Sequence, residues 1–339
     1  MDPSAVNPEI DDQGAELSLI AALIPELENP SAIDVGSERG AVAAVLRDAG
    51  AGPMWLVEPF PGSVALLLER FADVPGVHVL DVAAGGEDRA AELHLAHDES
   101  GESLDAFHTL HPESSGPDLA WRRSVPVRVR SLDSLSAAGE IPSRVGVLKV
   151  DAEGSDAEVL RGAASLTADI VMVEFWGELP DTLGKCPFTL GEVRSLVEPL
   201  GLERFLFVRH GPRHVSIGRW DTADPGQGEW GNLIFMADSL VGAAEAALPA
   251  LDRALRERSE RIIAEQEAAA AERLETIGRL KSDADERLEL IENLSSNNVN
   301  RDVKRLRVGR RGKRRRRSEL PALDPLDDVE QEGRGSSPV

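Results

Sequence analysis

An α/β fold around a mostly parallel sheet is predicted by three observations. From about 31 to 236, short β-branched or apolar runs alternate with segments of helical periodicity. One such run enters a glycine turn and then a helical pattern, AIDVGSERGAVAAVL over 32–46. Acids also stand where strands should end, at Asp34 and, 24 residues later, at Glu58, the positions from which a doubly wound sheet meets its ligand. With 339 residues and 42% hydrophobic composition, the chain can bury one large α/β core and carry an appendage.

The elements follow in order. Residues 1–30 form an acidic amino-terminal segment, opening MDPSAVNPEIDDQGAELS, where an export signal would be basic and then apolar. No run approaches the length of a membrane span, so a cytoplasmic protein is expected. Strands are placed at 31–36, 54–58, 77–82, 125–130, 145–150, 170–175, 204–209 and 232–236. Helices are placed at 39–49, 62–72, 155–166 and 189–199; the first gathers Ala41, Val42, Val45 and Leu46 on one face, and the third Ala157, Val159, Leu160 and Ala163. Between Ala96 and Ser124 lies a polar insertion rich in His, Ser, Gly and Pro. It is too long for an ordinary connection and is expected to be a lid or disordered.

The domain of 31–238 is followed by a helical, coiled-coil-like segment over 239–297, with Leu274, Ile277, Leu280, Ala284, Leu288, Ile291 and Leu294 at helical spacing. Pro249 is expected at its start or at a kink. The end, 298–339, is expected to be disordered.

Charge is distributed in blocks. The net charge is −23, yet 301–317 (RDVKRLRVGRRGKRRRR) holds eleven Lys and Arg against one Asp. An acidic chain is a poor general nucleic-acid binder, but this block can engage a polyanion by itself. An anionic membrane surface is the expected partner, which would make the protein peripheral at the inner membrane face, with nucleic acid as the other polyanion that fits. The apolar stripe of 250–294 is expected to form a homo-oligomer. A single cysteine, Cys186, excludes internal disulfides and multi-thiolate metal sites, and the absence of tyrosine excludes a Tyr-Lys proton relay.

The glycines Gly36 and Gly40 do not have the dinucleotide spacing G-x-G-x-x-G. Asp34 beside that turn repels a diphosphate and attracts a ligand bearing an ammonium and a sulfonium, which points to S-adenosyl-L-methionine. Glu58 can accept from two ribose hydroxyls. The segment VLKVDAEGSDAEVLRGA ends a strand in Asp151 and Glu153. Such a carboxylate pair can orient an acceptor hydroxyl and take its proton during an in-line methyl transfer, although Glu153 could instead cap the helix that begins near Ser155. Lys149, costly to bury alone, is expected to face the site and pair with Asp151 or Glu174, or to snorkel to a sheet edge. Glu174 ends the next strand as a second acceptor contact. Trp176 offers a stacking face or a core aromatic. The pairs His94/His97, His108/His111 and His210/His214 lack an accompanying carboxylate pattern, so no metal is expected. His108 or His111 becomes a candidate base if the insertion folds over the site.

The succession IDVGSERG, VEPFP, VLDVAAGGED, LKVDAEGSDAEVLRGA, IVMVEF and WGNLIFM resembles the FkbM family of class I S-adenosylmethionine-dependent methyltransferases. The resemblance covers about 31–236 and is most specific in the K-x-D-x-E-G block followed by E-V-L-x-G-A. It implies a Rossmann-like seven-stranded methyltransferase sheet with an antiparallel last hairpin, and O-methylation of a hydroxyl on a glycan or small hydroxylated metabolite. By that resemblance Asp34, Gly36 and Gly40 line the methionine end, Glu58 the ribose, and Val82, Ala83 and Ala84 the adenine. Asp81 either accepts from the adenine amino group or is a solvated strand end. Where the family commonly has Ala-Asn after the first glycine, this chain has Ser37-Glu38. The competing readings are a catalytically inactive methyltransferase-fold scaffold acting through its helix and basic tail, and an NAD(P)-dependent oxidoreductase, which the glycine spacing, Asp34 and the missing tyrosine disfavour.

Overall fold

The computed structural model describes residues 14–97, 101, 103–112, 120–179, 184–211, 214–219 and 227–312. Its strands are β1 (Ala32–Val35), β2 (Met54–Glu58), β3 (Val77–Asp81), β4 (Ala83–Ala84), β5 (Arg89–His97), β6 (Ala120–Arg130), β7 (Arg144–Val150), β8 (Thr167–Trp176), β9 (Glu178–Leu179), β10 (Gly184–Lys185), β11 (Arg204–Gly211), β12 (His214–Arg219) and β13 (Trp230–Met236). The helices are α1 (Gly14–Leu23), α2 (Ala41–Asp48), α3 (Pro61–Arg70), α4 (Leu132–Ala137), α5 (Asp156–Arg161), α6 (Leu190–Val197) and α7 (Asp238–Gly312).

Five strands run parallel in the order β3-β2-β1-β7-β8, and β13, β11 and β12 extend the sheet antiparallel. The expected sheet is therefore present with one strand more than seven: β12 is added at the edge beyond β11. A separate sheet of order β4-β6-β5 flanks it, and β9 pairs with β10.

Central strands read as near-continuous apolar runs because both faces are covered. Alternate residues of β7 and β8 go to opposite layers. Leu148, Val150, Val171 and Val173 pack with α4, α5 and α6 through Leu135, Val159, Leu160 and Val193. Val147, Ile170 and Met172 pack on the other side with Leu19, Ile20 and Leu23 of α1, Leu46 of α2 and Leu67 of α3. That second layer also takes Leu240, Ala244, Leu248, Leu251 and Leu255, so the first turns of α7 belong to the core.

The carboxyl-terminal part departs from expectation in the extent of its helix. The helix starts at Asp238 and runs through Pro249, which is neither start nor end. It continues to Gly312, so 298–312 is helical where disorder was expected, and the basic block lies partly on this helix; 313–339 is outside the described residues. The chain divides into compact units at Gln266/Glu267. In the second unit Leu274, Ile277, Leu280, Leu288, Ile291 and Leu294 are exposed. Among the described residues no helix is long and apolar enough to cross a membrane.

The expected amino-terminal segment contains α1, whose Glu16 is fully buried. Glu16 Oε1 lies 2.6 Å from His210 Nε2 on β11 and accepts from Asn232 Nδ2 on β13 at 3.2 Å. This buried polar link fixes α1 across the antiparallel half of the sheet. Removing one partner strands the other two in a dry core. Glu16→Ala is expected to lower the unfolding free energy by ~3 kcal/mol or more in urea denaturation of the full chain, and a loss below ~1 kcal/mol would contradict the link's role.

Candidate active site

A crevice of about 550 Å³ opens at the carboxyl ends of β1, β2, β7 and β8, where open α/β sheets bind ligands. Of the residues expected there, Gly36, Glu58, Ala83, Lys149, Asp151, Glu153 and Glu174 line it. Asp34, Gly40, Asp81 and Val82 do not line it. Asp34 is buried beneath the turn rather than presented to a ligand, Val82 is a core residue, and Asp81 is solvated at its strand end.

The turn after β1 requires its glycines for packing. Gly36 sits at φ +72°, and a Cβ there would lie 1.8 Å from the carbonyl oxygen of Asp151. The ends of β1 and β7 therefore touch through backbone. Gly40, at φ +74°, is pressed against Phe71 and Leu67, so it seats α2 on α3 rather than contacting a ligand. Between them Glu38 adopts φ +46°, a left-handed conformation that Asn tolerates better than Glu. That preference accounts physically for the Asn that the resembled family commonly carries at this point.

Lys149 holds this corner. Its ammonium donates to the carbonyls of Val35 at 3.2 Å and Gly36 at 2.9 Å. It also lies 3.4 Å from Asp34 Oδ1 and 3.3 Å from Asp151 Oδ2. The partner is thus Asp151 together with Asp34, not Glu174. Burial works to discharge the ammonium, but the Asp151 and Asp34 carboxylates overturn it and hold the Lys149 pKa above its ordinary value.

Glu58 is tied to the same turn. Its Oε2 accepts from the Glu38 N–H at 2.9 Å and its Oε1 from the Phe60 N–H at 2.8 Å. Each carboxylate oxygen keeps a further lone pair for a ligand hydroxyl.

Asp151, Glu153 and Glu174 converge on the crevice, and each offers an oxygen such that all three lie within 4.8 Å of one another. Burial first, and then the Asp151 charge, push Glu153 and Glu174 well above the usual carboxylate range. Glu153 does not cap the following helix. It sits at φ +48° with its carbonyl accepting from Thr109 Oγ1 at 2.6 Å. Asp156, which sequence reasoning missed, binds the turn instead, accepting from the N–H groups of Ala152 at 3.3 Å and Gly154 at 3.2 Å. Its burial, followed by the Asp151 charge, pushes its pKa up to about 7.

The described part of the insertion lies over the crevice, as a lid would. Asp105, Phe107, His108 and Leu110 line it, and Arg39 after the glycine turn reaches Asp105 at 3.3 Å. His108 is not free to act as a base: Nδ1 accepts from the Ala96 N–H at 3.2 Å and Nε2 lies 3.5 Å from Asp105 Oδ1. Burial lowers its pKa against the pull of Asp105. His111 Nε2 turns to Glu158 at 3.6 Å. The aromatic wall is Trp230, stacked on His210 with ring centroids 4.2 Å apart; Trp176 is a core residue. Trp230 was missed because it begins a strand whose neighbours in sequence are polar.

Burial, opposed by its two backbone donors, raises Glu58 from an ordinary 4.5 to about 7. A raised acid stabilises the fold while both states are protonated, and that stability is lost as pH rises from 4.5 towards 7. The unfolding free energy of ligand-free protein minus that of Glu58→Gln is therefore expected to fall by ~3 kcal/mol across that interval in urea titrations. A difference that stays flat with pH would contradict the burial argument.

The pattern of the methyltransferase FkbM domain matches residues 34–199. A search of the curated proteins found no matching relative. Among solved structures, the chain is similar to a precorrin-6y C5,15-methyltransferase from Geobacter metallireducens at 8% identity, covering 67% of this chain and 88% of that one with a TM-score of 0.35. It is similar to Aeropyrum pernix fibrillarin with bound S-adenosyl-L-methionine at 16% identity, 65% and 74% coverage and a TM-score of 0.33. For the magnesium protoporphyrin IX methyltransferase of Synechocystis the figures are 11%, 68%, 81% and 0.35. Residues 34–199 thus match the methyltransferase FkbM domain, the family that the sequence motifs resemble.

Proposed function

We propose that the crevice binds S-adenosyl-L-methionine and transfers its methyl group to a hydroxyl of a glycan or small hydroxylated metabolite. The observation that carries this reading is the meeting, in one crevice, of the Glu58-anchored glycine turn with the carboxylates of Asp151, Glu153 and Glu174. The turn suits the nucleoside and methionine parts, with Glu58 at the ribose and Ala83 against the adenine. An acid-rich crevice favours a ligand that carries a sulfonium and an ammonium.

The acceptor oxygen attacks the methyl carbon, the methyl–sulfur bond breaks, the sulfonium becomes a neutral thioether, and the hydroxyl proton passes to a carboxylate. A hydroxyl needs that proton removed as the new bond forms, which is the service a carboxylate cluster supplies. Trp230, with Phe107 and Leu110, gives an apolar face for a sugar ring or a compact metabolite. Neither the scaffold reading nor the oxidoreductase reading accounts for three acids gathered beside a buried lysine. Self-association through 250–294, and attachment of 301–317 to an anionic membrane surface, are further proposals that rest on the exposed stripe of α7 and on the charge of the block.

Asp151→Asn is expected to abolish turnover while leaving cofactor affinity within about tenfold, because it acts on the acceptor in the transition state. Calorimetry with S-adenosyl-L-methionine and single-turnover assays with labelled cofactor and acceptor fractions check both halves. Loss of cofactor binding in the variant would move Asp151 to the cofactor end and overturn its assignment.

A further inference from the structure

The acceptor end of the crevice contains more negative charge than its basic groups balance. Lys149 reaches Asp34 and Asp151. Among the described residues no basic side chain forms an ion pair with Glu153 or Glu174, and the Oε2 atoms of both are buried without a hydrogen-bond partner. Carboxylates in that condition are compensated by protons or by a cation.

The geometry favours the cation. The three acids come from two adjacent strand ends, Asp151 and Glu153 after β7 and Glu174 near the end of β8, and their offered oxygens all lie within 4.8 Å of one another. Opposed ligands of a hard cation, with bonds of about 2.1 to 2.4 Å, are about 4.2 to 4.8 Å apart. Three oxygens within that reach of one another can share one coordination shell.

A second, independent observation lies beside them. Ser155 is 1% exposed and lines the same crevice, and its hydroxyl has no hydrogen-bond partner. A buried hydroxyl in a folded protein ordinarily has a partner. A coordinated cation or one of its bound waters would supply it.

We propose that Asp151, Glu153 and Glu174, with Ser155 beside them, bind one divalent oxygen-preferring cation of the Mg²⁺ or Mn²⁺ class, and that the acceptor hydroxyl becomes a further ligand. The donor set is all oxygen, without imidazole or thiolate, which selects hard cations over zinc or copper. The sequence pattern points to no metal because its histidine pairs lack an accompanying carboxylate, whereas the acids come together only in the fold. The catalytic role of the cation deepens the methyl-transfer reading and rests on it: a hydroxyl bound to such an ion gives up its proton more easily, here to the carboxylate oxygen of a ligand acid that does not hold the cation, as its oxygen bonds to the methyl carbon and the methyl–sulfur bond breaks.

The test uses the full chain, freed of cations with a chelator and titrated near neutral pH with MnCl₂ and separately with MgCl₂. Calorimetry and the paramagnetic signal of free Mn²⁺ follow binding. Wild type is expected to take one Mn²⁺ per chain, and Glu153→Gln and Glu174→Gln, each shown folded by circular dichroism, are expected to bind at least about tenfold more weakly. No saturable binding to wild type, or unchanged binding to whichever of the two variants folds, would overturn the site. Titrating the same chelated protein with S-adenosyl-L-methionine separates the two claims. Cofactor binding without cation binding sinks the cation alone, whereas failure of both sinks the methyltransferase reading with it.

Discussion

One ammonium group organises this protein. Lys149 is 2% exposed and sits where β1 and β7 end side by side. An isolated buried charge costs far more than a fold of this size can absorb. Here the charge is met by two carboxylates and two backbone carbonyls, of Asp34, Asp151, Val35 and Gly36. The arrangement ties together the strand-end acid Asp151, the glycine turn after β1 and the Asp34 carboxylate beneath it. Gly36 completes it, since any side chain there would displace the Asp151 backbone.

Strain is placed around that point. Glu38 and Glu153 are the non-glycine residues with left-handed backbone among those described, one on each side of Lys149, and both line the crevice. Each is held by bonds from another element. The Glu38 N–H donates to Glu58, and the Glu153 carbonyl accepts from Thr109 in the insertion. Because the insertion also reaches the glycine turn through Asp105 and Arg39, it touches the turns after both β1 and β7. A conformation that unfavourable persists only where its surroundings over-determine it.

The parallel half of the sheet was legible in the sequence because its strands are apolar on both faces and its helices show a clean apolar stripe, as in α2 and α6. What escaped did so for identifiable reasons. α1 buries Glu16 and exposes Ala22, so its sequence shows little periodic contrast. β5 is built of Ala, His and charged residues, which carry little strand preference. β12 is a short edge strand defined by its partner. In the site, the residues that meet the crevice were visible as strand-end acids, but their partners were not. Lys149 was expected to pair with Asp151 or Glu174; it pairs with Asp151 and also with Asp34, because register, which no single strand encodes, sets Asp34 opposite Lys149. Asp34 and Gly40 looked like ligand contacts because sequence shows proximity to the turn but not which side of the backbone faces the cavity.

Lys149 joins the glycine turn that is proposed to hold the cofactor to the acids proposed to meet the acceptor. The measurement that reaches this most directly is calorimetric titration of Lys149→Met with S-adenosyl-L-methionine, on protein shown folded by circular dichroism. Without the ammonium, the carbonyls of Val35 and Gly36 lose their donor and Asp34 is left uncompensated under the turn. Cofactor affinity is predicted to fall by at least about tenfold, as expected when a residue that orients a binding loop is removed. Wild-type affinity in that variant would contradict the claim that this one buried charge assembles the site.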